Sequence, residues 1–425
     1  MCGLYKFIRD FYYGGRVEIF HLGKVPQGPK YYYDFTSLYP AMGLKDLPYG
    51  DPVWVDKFNV FEHFGFASVL VKSREDMLHK KPLHGIKEDS KLLFRHFKDW
   101  TPLTLFSEEL KLGINTGMYD YDIRGGLTFQ SAPWMAGFFT DAFERKAYAK
   151  KEGNPALAQV WKIIANSGYG FWGIRVKDRD CILIEKADRM AIYPYLKNGK
   201  FLNYNEIGDY GVMRVLADLP VSDFNVGVAS AISSYSRCRL WSLINDIESK
   251  GKKVFMCDTD SVITDINISE HLDLMSEYMW DGCGDALGSL KNEADEFMEE
   301  KAGLTKDDVK WLKEESGGMI HFDDLILGGC KFYTLRRDGC KKIIAKCKGF
   351  KKGKDGSDLT YKDFEDMDGG GLKKQKQVQF LCPKNNHISL TENFAMRTPY
   401  VEKKFKFCYN KGDIADDGSI TPLYF

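Results

Sequence analysis

Residues 31–40 read Tyr-Tyr-Tyr-Asp-Phe-Thr-Ser-Leu-Tyr-Pro, which predicts a strand that runs directly into a turn or a helix. Its aromatic opening is typical of a β-strand, and Pro40 suits the first turn of a helix. Asp34 is therefore expected where the strand ends. A carboxylate in that position is more often a cap than a catalyst, so its meaning depends on the acids that the fold brings near it.

A second pair of carboxylates lies far along the chain, in residues 254–263 (VFMCDTDSVI). Two short apolar runs flank Asp258 and Asp260, which predicts a β-hairpin with both side chains at its tip. The preceding residues 224–243 have the apolar pattern of a helix packed on that hairpin. An ordinary turn is the alternative interpretation, because aspartate is common in turns.

Two antiparallel helices are predicted between these segments. Residues 142–151 are good helix formers, and Gly153 interrupts them. Asn154 followed by Pro155 fits the N-cap and the first position of the next helix. Because the connection is so short, the two helices are expected to pack side by side.

The second of these helices presents a polar face. Lys162, Asn166 and Tyr169 fall at i, i+4 and i+7, which places an ammonium, an amide and a phenol together. A lysine on such a helix is usually only solvated. Three carboxylates from two strand ends, however, suit hard cations, and two cations about 3.5–4 Å apart stabilise the attacking and leaving oxygens of phosphoryl transfer. With a lysine for the triphosphate, the combination indicates a nucleotidyltransferase.

Length and composition limit the number of compact units and the classes of protein to which the chain can belong. A chain of 425 residues, 44% hydrophobic and 28% charged, predicts two or three compact units and no membrane span. Residues 1–10 interrupt their apolar side chains with charges, unlike a signal peptide. The ten cysteines form no CxxC pair, which indicates reduced thiols in a cytoplasmic setting and argues against a zinc site.

The net charge of zero conceals a segregated distribution. Residues 331–354 contain ten lysines and arginines and one acid, whereas residues 293–315 contain nine acids and four lysines. The basic stretch is expected to lie along a phosphate backbone. The acids at 293, 295, 296, 299 and 300 have helical spacing and are interpreted as a solvated face. Two solvated faces of opposite sign remain the alternative for both stretches.

Taken together, these segments resemble family B DNA polymerases, and most closely the protein-primed branch of bacteriophages and linear plasmids. Residues 34–40 resemble the DxxSLYP of motif A, residues 162–170 (KIIANSGYG) the KxxxNSxYG of motif B, and residues 258–261 (DTDS) motif C. Residues 331–333 (KFY) resemble the KxY element, and residues 12–15 (YYGG) the YxGG loop. Order and spacing also agree, from about residue 9 to about 397.

The resemblance implies an α+β fold, the right hand of palm, fingers and thumb with an antiparallel palm sheet and two-helix fingers. The implied organisation is the YxGG loop and first palm segment with motif A (1–45), an insertion similar to a terminal-protein region (46–133), fingers with motif B (134–173), a second insertion and palm (174–225), palm with motif C and KxY (226–345), and thumb with a C-terminal extension (346–425). Residues 369–371 (GGG) are expected to form a flexible joint. Ordinary surface elaboration is the alternative for both insertions.

The resemblance also implies roles for individual residues. Two Mg²⁺ ions, replaceable by Mn²⁺, would be held by Asp34, the Phe35 carbonyl, Asp258 and Asp260. The expected dNTP-binding residues are Ser37, Leu38, Tyr39, Lys150, Lys162, Asn166 and Tyr169, with Tyr39 excluding a 2′-hydroxyl. Arg145, Lys146 and Lys151 compete with Lys150. The expected DNA-binding residues are Tyr12, Gly14, Gly15, Arg237, Lys331 and Tyr333.

The predicted function is DNA-directed DNA polymerase, adding dNTPs to a primer 3′-hydroxyl. The family carries its exonuclease before the YxGG loop, and eleven residues precede Tyr12, so no 3′–5′ exonuclease is expected in this chain. The implied partners are primer-template DNA, dNTPs, a terminal priming protein and a separate exonuclease subunit, with no membrane, in the cytoplasm of a host. Two alternatives stay open: a non-catalytic DNA-binding replication subunit, and an enzyme similar to a primase-polymerase.

Overall fold

The computed structural model describes residues 3–89, 91–174, 179–216, 225–282, 284–301, 304–340, 342–347, 359–368, 372–377 and 400–425. The expected joint at residues 369–371 lies outside these ranges, as does the end of the basic stretch at 348–354.

The α-helices are α1 (Gly3–Phe11), α2 (Leu38–Met42), α3 (Ser107–Thr116), α4 (Ala136–Lys151), α5 (Pro155–Trp172), α6 (Tyr193–Lys197), α7 (Val226–Ser249), α8 (Leu272–Tyr278), α9 (Glu293–Glu296), α10 (Lys306–Glu315) and α11 (Tyr361–Asp368). Short 3₁₀ turns occupy Glu75–Met77, Arg189–Ile192 and Ile268–Glu270, and a π-helical turn occupies Phe297–Lys301.

The β-strands are β1 (Val17–Ile19), β2 (Gly23–Lys24), β3 (Tyr31–Phe35), β4 (Leu47–Val55), β5 (Gly65–Ser73), β6 (Ile86–Glu88), β7 (Lys91–Leu93), β8 (Thr101–Phe106), β9 (Tyr119–Ala132), β10 (Arg179–Glu185), β11 (Phe201–Ile207), β12 (Tyr210–Leu216), β13 (Val254–Asp258), β14 (Ser261–Thr264), β15 (Leu290–Asn292), β16 (Asp324–Gly329), β17 (Phe332–Arg336), β18 (Ile344–Cys347), β19 (Leu372–Gln377), β20 (Tyr400–Phe405), β21 (Gly412–Ile414) and β22 (Ile420–Pro422).

A five-stranded antiparallel sheet forms the centre, in the order β1-β13-β14-β3-β15. The aromatic run of β3 alternates between buried and half-buried positions, as a strand with one covered face should. The predicted hairpin of β13 and β14 is present, and its register places Ser261 opposite Asp34. This pairing brings the two distant acidic segments together.

Helix α7 lies against this sheet and is buried over most of its length. The Asn225 side chain caps it by accepting a hydrogen bond from the Gly227 backbone N–H at 3.0 Å. The helix expected over residues 224–243 is confirmed, although it begins at Val226 and continues to Ser249. Because α7 also contacts α1, α2, α3 and α5, it connects the other parts of the chain to the sheet.

The two helices expected after residue 133 pack against each other as α4 and α5. The Asn154 side chain accepts from the Leu157 backbone N–H at 3.0 Å, and Pro155 is the first helical residue. Helix α4 is longer than the sequence indicated, since it already begins at Ala136.

Residues 47–132 form a separate four-stranded sheet, β4-β9-β5-β8, with α3 packed between it and α7. Residues 179–216 form a three-stranded sheet, β10-β12-β11. These are the positions predicted for the two insertions, and the domain boundaries themselves stay predictions. We refer to residues 46–133 as the first insertion.

A second antiparallel sheet, β18-β17-β16-β2, carries helix α11. Strand β18 crosses the boundary expected between residues 345 and 346, because it pairs with β17. The last residues return to the body of the protein: Ser419 pairs with His21, and Tyr424 pairs with His96. Within the described residues, no helix combines the length and apolar character that crossing a membrane requires.

Candidate active site

The three predicted acids meet at one edge of the central sheet. Asp34 lies near the end of β3, Asp258 ends β13, and Asp260 lies in the turn that follows. The Phe35 backbone N–H donates to the Asp260 carbonyl at 2.8 Å, which fixes the turn against β3. We call Asp34, Asp258 and Asp260 the carboxylate cluster.

The turn between the two hairpin acids has an unusual backbone. Thr259 adopts a left-handed conformation with φ of 68°, and its N–H donates to the Arg16 carbonyl at 2.7 Å. A β-branched residue with positive φ is strained, and such strain is found where the surroundings hold a functional conformation. The segment just after the YxGG-like loop therefore supports the turn of the carboxylate cluster.

Burial and crowding hinder ionisation of these acids. Burial, followed by the charges of Asp260 and Glu293, raises the pKa of Asp34 to about 9. Burial and the charge of Asp258 raise the pKa of Asp260 to about 6. Acids that repel one another in this way are stabilised as anions by a bound cation.

The donor set suits a hard divalent cation, which prefers carboxylate oxygens. Within the part of the chain that the structure describes, no group of three or more aspartate, glutamate, histidine or cysteine side chains is arranged to hold a metal ion. Instead Asp258 Oδ1 lies 3.0 Å from the Lys331 ammonium. The residues fit a divalent metal by chemistry, and Asp258 would exchange its lysine partner for it.

A cavity of about 950 Å³ opens on one side of the cluster, between the sheet and the helices α4 and α5. Asp34 and Asp260 form part of its wall. It is also lined by every residue expected to bind a nucleotide, namely Ser37, Leu38, Tyr39, Lys150, Lys162, Asn166 and Tyr169. The side chain of Leu38 is buried in the core, so what it can offer to a ligand is mainly backbone.

Lysines concentrate positive charge in this cavity. Lys146, Lys150 and Lys162 line it, and Lys146 Nζ lies 3.3 Å from Ser37 Oγ. Burial and the neighbouring charges of Lys150 and Lys162 lower the pKa of Lys146. The three side chains therefore offer positive charge to a polyanionic ligand.

Of the residues that competed with Lys150 in sequence, Lys146 is the one that reaches the cavity. Arg145 instead pairs with Asp141 at 2.8 Å on an exposed face of α4.

Tyr39 and Tyr169 stack beside the carboxylates. Their ring centroids are 4.6 Å apart at an angle of 24°. The Tyr169 hydroxyl lies 3.2 Å from that of Tyr12, and the Tyr39 hydroxyl contacts the backbone of Gly15. A Cβ on Gly15 would lie 2.8 Å from the Tyr39 oxygen, so only glycine fits this approach.

A second opening of about 460 Å³ also borders the cluster. Lys331, Tyr333 and Lys346 line it together with all three acids. Lys331 has a φ of 58°, while Tyr333 is 2% exposed and its hydroxyl lies 3.1 Å from that of Tyr32. Tyr333 therefore presents little more than its phenol edge to this opening.

Two expectations need correction. Arg237 is 2% exposed and pairs with the buried Glu109 at 3.1 Å, so this geometry leaves no surface for the direct DNA contact expected of it. Its guanidinium donates instead to the Tyr13 carbonyl at 3.0 Å. The solvated-face interpretation is also wrong for Glu293 and Glu296, which line the larger cavity.

No local pattern in the sequence identifies Glu293 as a residue of the site. Strand β15 pairs with β3 so that Lys291 lies opposite Asp34, and this places Glu293 and Glu296 beside the cluster. Lys291 forms an ion pair with Glu296. Only the strand pairing identifies these residues, because their spacing along the chain is that of an ordinary charged helix.

Comparison with known proteins shows the family of the chain. The family described as "DNA polymerase type B, organellar and viral" matches residues 2–214. A probable DNA polymerase of Podospora anserina is 26% identical over 299 residues, covering 63% of this chain and 24% of that protein. The DNA-directed DNA polymerase of Enterobacteria phage PRD1 is 24% identical over 270 residues, covering 61% of this chain and 44% of that protein. The chain thus spans less than half the length of these relatives.

Among solved structures, Phi29 DNA polymerase complexed with primer-template DNA and incoming nucleotide is similar, with a TM-score of 0.62 and 18% identity. The likeness covers 96% of this chain and 63% of that one. At this identity it establishes the fold alone. The predicted α+β right-hand architecture of palm, fingers and thumb is confirmed.

Proposed function

Since the chain belongs to the organellar and viral type B DNA polymerases, whose family model matches residues 2–214, we propose that it is a DNA-directed DNA polymerase. It would extend a primer 3′-hydroxyl with dNTPs as its template directs. The activity of the whole protein is part of this proposal, because the chain covers only part of its relatives.

One observation carries the proposal: two openings share a wall made of Asp34 and Asp260. A nucleotidyl transfer needs the attacking hydroxyl and the triphosphate to approach a common point from opposite sides. The larger cavity offers lysines and aromatic rings, and the smaller offers Lys331 beside Asp258. The acids stand where the two substrates would meet.

On the nucleotide side, Lys150, Lys162 and Lys146, which also lines the cavity, would bind the triphosphate. Ser37 and Leu38 would contribute to the same surface through polar and backbone groups. Tyr39 would lie under the sugar, where its ring excludes a 2′-hydroxyl. Asn166 and Tyr169 would line the nascent base pair.

On the DNA side, Lys331 and the phenol edge of Tyr333 would hold the primer terminus, and Tyr12, Gly14 and Gly15 would contact the template. Asp34, Asp258, Asp260 and the Phe35 carbonyl would hold two Mg²⁺ ions, for which Mn²⁺ can substitute. When bound, these ions supply positive charge to the transferring phosphoryl group. The protein's own part is to orient both substrates and to hold the three acids where the ions would bind.

The proposed partners are primer-template DNA and dNTPs. A similar protein, Phi29 DNA polymerase, has been solved with both. A terminal priming protein, a separate exonuclease subunit and the cytoplasmic location all stay predictions.

Primer extension with and without template tests the proposal. Extension of a labelled primer that requires template, all four dNTPs and Mg²⁺ is expected. Untemplated addition would favour an enzyme similar to a primase-polymerase. Binding of primer-template without any incorporation, in either Mg²⁺ or Mn²⁺, would favour a non-catalytic DNA-binding subunit.

A further inference from the structure

Four buried residues link the first insertion to the palm, and the proposed catalysis uses none of them. Glu109 on α3 is 1% exposed and accepts hydrogen bonds from Ser234 Oγ at 2.5 Å and from the Arg237 guanidinium at 3.1 Å. Its other oxygen lies 3.1 Å from Nδ1 of the buried His84. We call His84, Glu109, Ser234 and Arg237 the Glu109 cluster.

The Glu109 cluster reaches the loop of residues 12–16. Arg237 Nη1 donates to the Tyr13 carbonyl at 3.0 Å, and the guanidinium lies 4.3 Å from the centroid of the Tyr13 ring. Glu109 accepts a hydrogen bond from Nη2 of the same guanidinium. A buried arginine keeps a fixed position only when its charge is compensated, so the position of Arg237 depends on Glu109.

The first insertion also holds this loop directly, through a segment before and within β6. The Tyr13 hydroxyl donates to the Gly85 carbonyl at 2.9 Å, and Lys87 Nζ donates to the Tyr12 carbonyl at 2.6 Å. Arg16 Nη1 donates to the Pro82 carbonyl at 2.6 Å. The loop is therefore anchored at both ends by the insertion.

The far side of the loop touches the active site. Gly15 lies against the Tyr39 hydroxyl, and the Arg16 carbonyl accepts from the Thr259 N–H in the turn of the carboxylate cluster. A shift of the loop would therefore displace the Tyr39 ring and the turn together.

We infer that Glu109 is a positioning residue: through Arg237 it holds the loop of residues 12–16, and so sets the places of Tyr39 and of the turn between Asp258 and Asp260. The first insertion is then part of the nucleotide-selecting machinery. This inference rests on the proposed function for its kinetic consequence, whereas its structural consequence is independent of any activity.

The structural consequence is measured by hydrogen–deuterium exchange on the full chain. Glu109→Gln keeps the shape of the side chain and removes its charge. Peptides covering residues 12–17 and 258–261 are expected to exchange about tenfold faster, whereas peptides from α10 stay unchanged. Arg124→Gln is the matched control, because Arg124 lies in the same insertion, in an exposed pair with Asp122.

The kinetic consequence is a changed sugar preference. Glu109→Gln is expected to lower discrimination between dNTPs and rNTPs about tenfold and to raise the KM for dNTPs more than it lowers kcat. A purely structural role would reduce the fraction of active enzyme and leave both ratios unchanged.

Tyr13→Phe separates the inference from general unfolding. It removes the hydrogen bond to Gly85 without leaving a buried charge, and it is expected to produce the same pattern at smaller amplitude. Unchanged exchange at residues 12–17 and 258–261 in both folded variants would overturn the inference. Faster exchange over the whole chain in Glu109→Gln with no local change in Tyr13→Phe would overturn it as well. An inactive wild type that still shows the local exchange pattern would overturn the proposed function and leave the positioning role standing.

Discussion

The carboxylate cluster and the Glu109 cluster both contain buried acids, yet their surroundings shift the acids in opposite directions. Burial and like charge raise the pKa of Asp34 to about 9. Burial also acts to raise the pKa of Glu109, but Arg237 and His84 outweigh it and lower the value to about 2. The first cluster is a site that attracts cations, and the second is already neutralised by the protein.

This difference distinguishes a cluster suited to binding a ligand from a cluster that stabilises the local structure. Unbalanced buried charge is found where a ligand completes the site, whereas a balanced buried pair mainly fixes geometry. The loop of residues 12–16 joins the two clusters, since Arg237 holds one side of it and Tyr39 and Thr259 contact the other.

The largest effect is expected from Asp260→Asn, which removes one charge from the carboxylate cluster without changing its shape. Incorporation should fall at least about a thousandfold, equivalent to ~4 kcal/mol of activation free energy, because the metal loses a charged ligand. Single-turnover extension and DNA affinity should be measured together. Retained activity in saturating Mg²⁺ would exclude Asp260 as a ligand, and a parallel loss of DNA affinity would assign it to DNA binding.

The same test in the Glu109 cluster should affect folding first. Glu109→Gln leaves Arg237 buried without its counter-charge, and the free energy of unfolding should fall by about 3–5 kcal/mol. Urea denaturation measures this. The double variant Glu109→Leu, Arg237→Met should recover part of the loss, because apolar replacements leave no buried charge. A single variant as stable as the wild type would show that the pair is not the balanced cluster described here.

Tyr39→Val tests the residue that lies between the clusters. Removing the ring should admit ribonucleotides, lowering sugar discrimination by about ten- to two-hundredfold, as expected for loss of a steric contact in a substrate pocket. Competitive incorporation of dNTP and rNTP measures the ratio. Tyr39→Phe is the control, because it retains the ring. If Tyr39→Val discriminates as well as the control, another side chain excludes the 2′-hydroxyl.

Lys162→Ala should raise the KM for dNTPs about tenfold while DNA affinity changes little, because the ammonium lines the nucleotide cavity. Lys151→Ala is the matched control, since Lys151 is exposed at the end of the neighbouring helix α4. Steady-state kinetics and DNA titration give the two quantities. An equal loss of both in Lys162→Ala would place the lysine on the duplex.

The two clusters should also differ in the pH dependence of stability. Asp34 and Asp260 have raised pKa values of about 9 and 6, so without metal their protonated forms stabilise the fold fully below pH 3.8, and that contribution is lost as pH rises towards 9. Glu109 has a lowered pKa, so its contribution is present above pH 4.5 and is lost as pH falls towards 2.

Thermal melts in EDTA from pH 3 to 9 measure both slopes. Asp34→Asn should make the melting temperature less dependent on pH on the alkaline side of the profile, and added Mg²⁺ should have the same effect. Glu109→Gln should make it less dependent on pH on the acidic side. Identical profiles for the wild type and Asp34→Asn would show that the acids of the carboxylate cluster do not raise one another's pKa in the folded protein.

Local chemistry made much of the site predictable. Asp34 lies near the end of an aromatic strand, Asp258 and Asp260 occupy a hairpin tip, and Lys162, Asn166 and Tyr169 share a helix face whatever surrounds them. Periodicity and turn chemistry express such features within a few residues. Glu293 has no comparable signal, because its role depends on β15 pairing with β3.

The amino-acid sequence by itself therefore determined the strand, the hairpin, the two-helix pair and the family, since each depends on residue types at short spacing. The tertiary structure alone decided that Arg237 is a buried support, that Lys146 reaches the cavity in preference to Arg145, and that the first insertion holds the loop of residues 12–16. These facts depend on which side of a helix or strand is covered by residues far away in the chain. Burial and charge compensation arise only when those distant residues pack together, so no pattern along the chain encodes them.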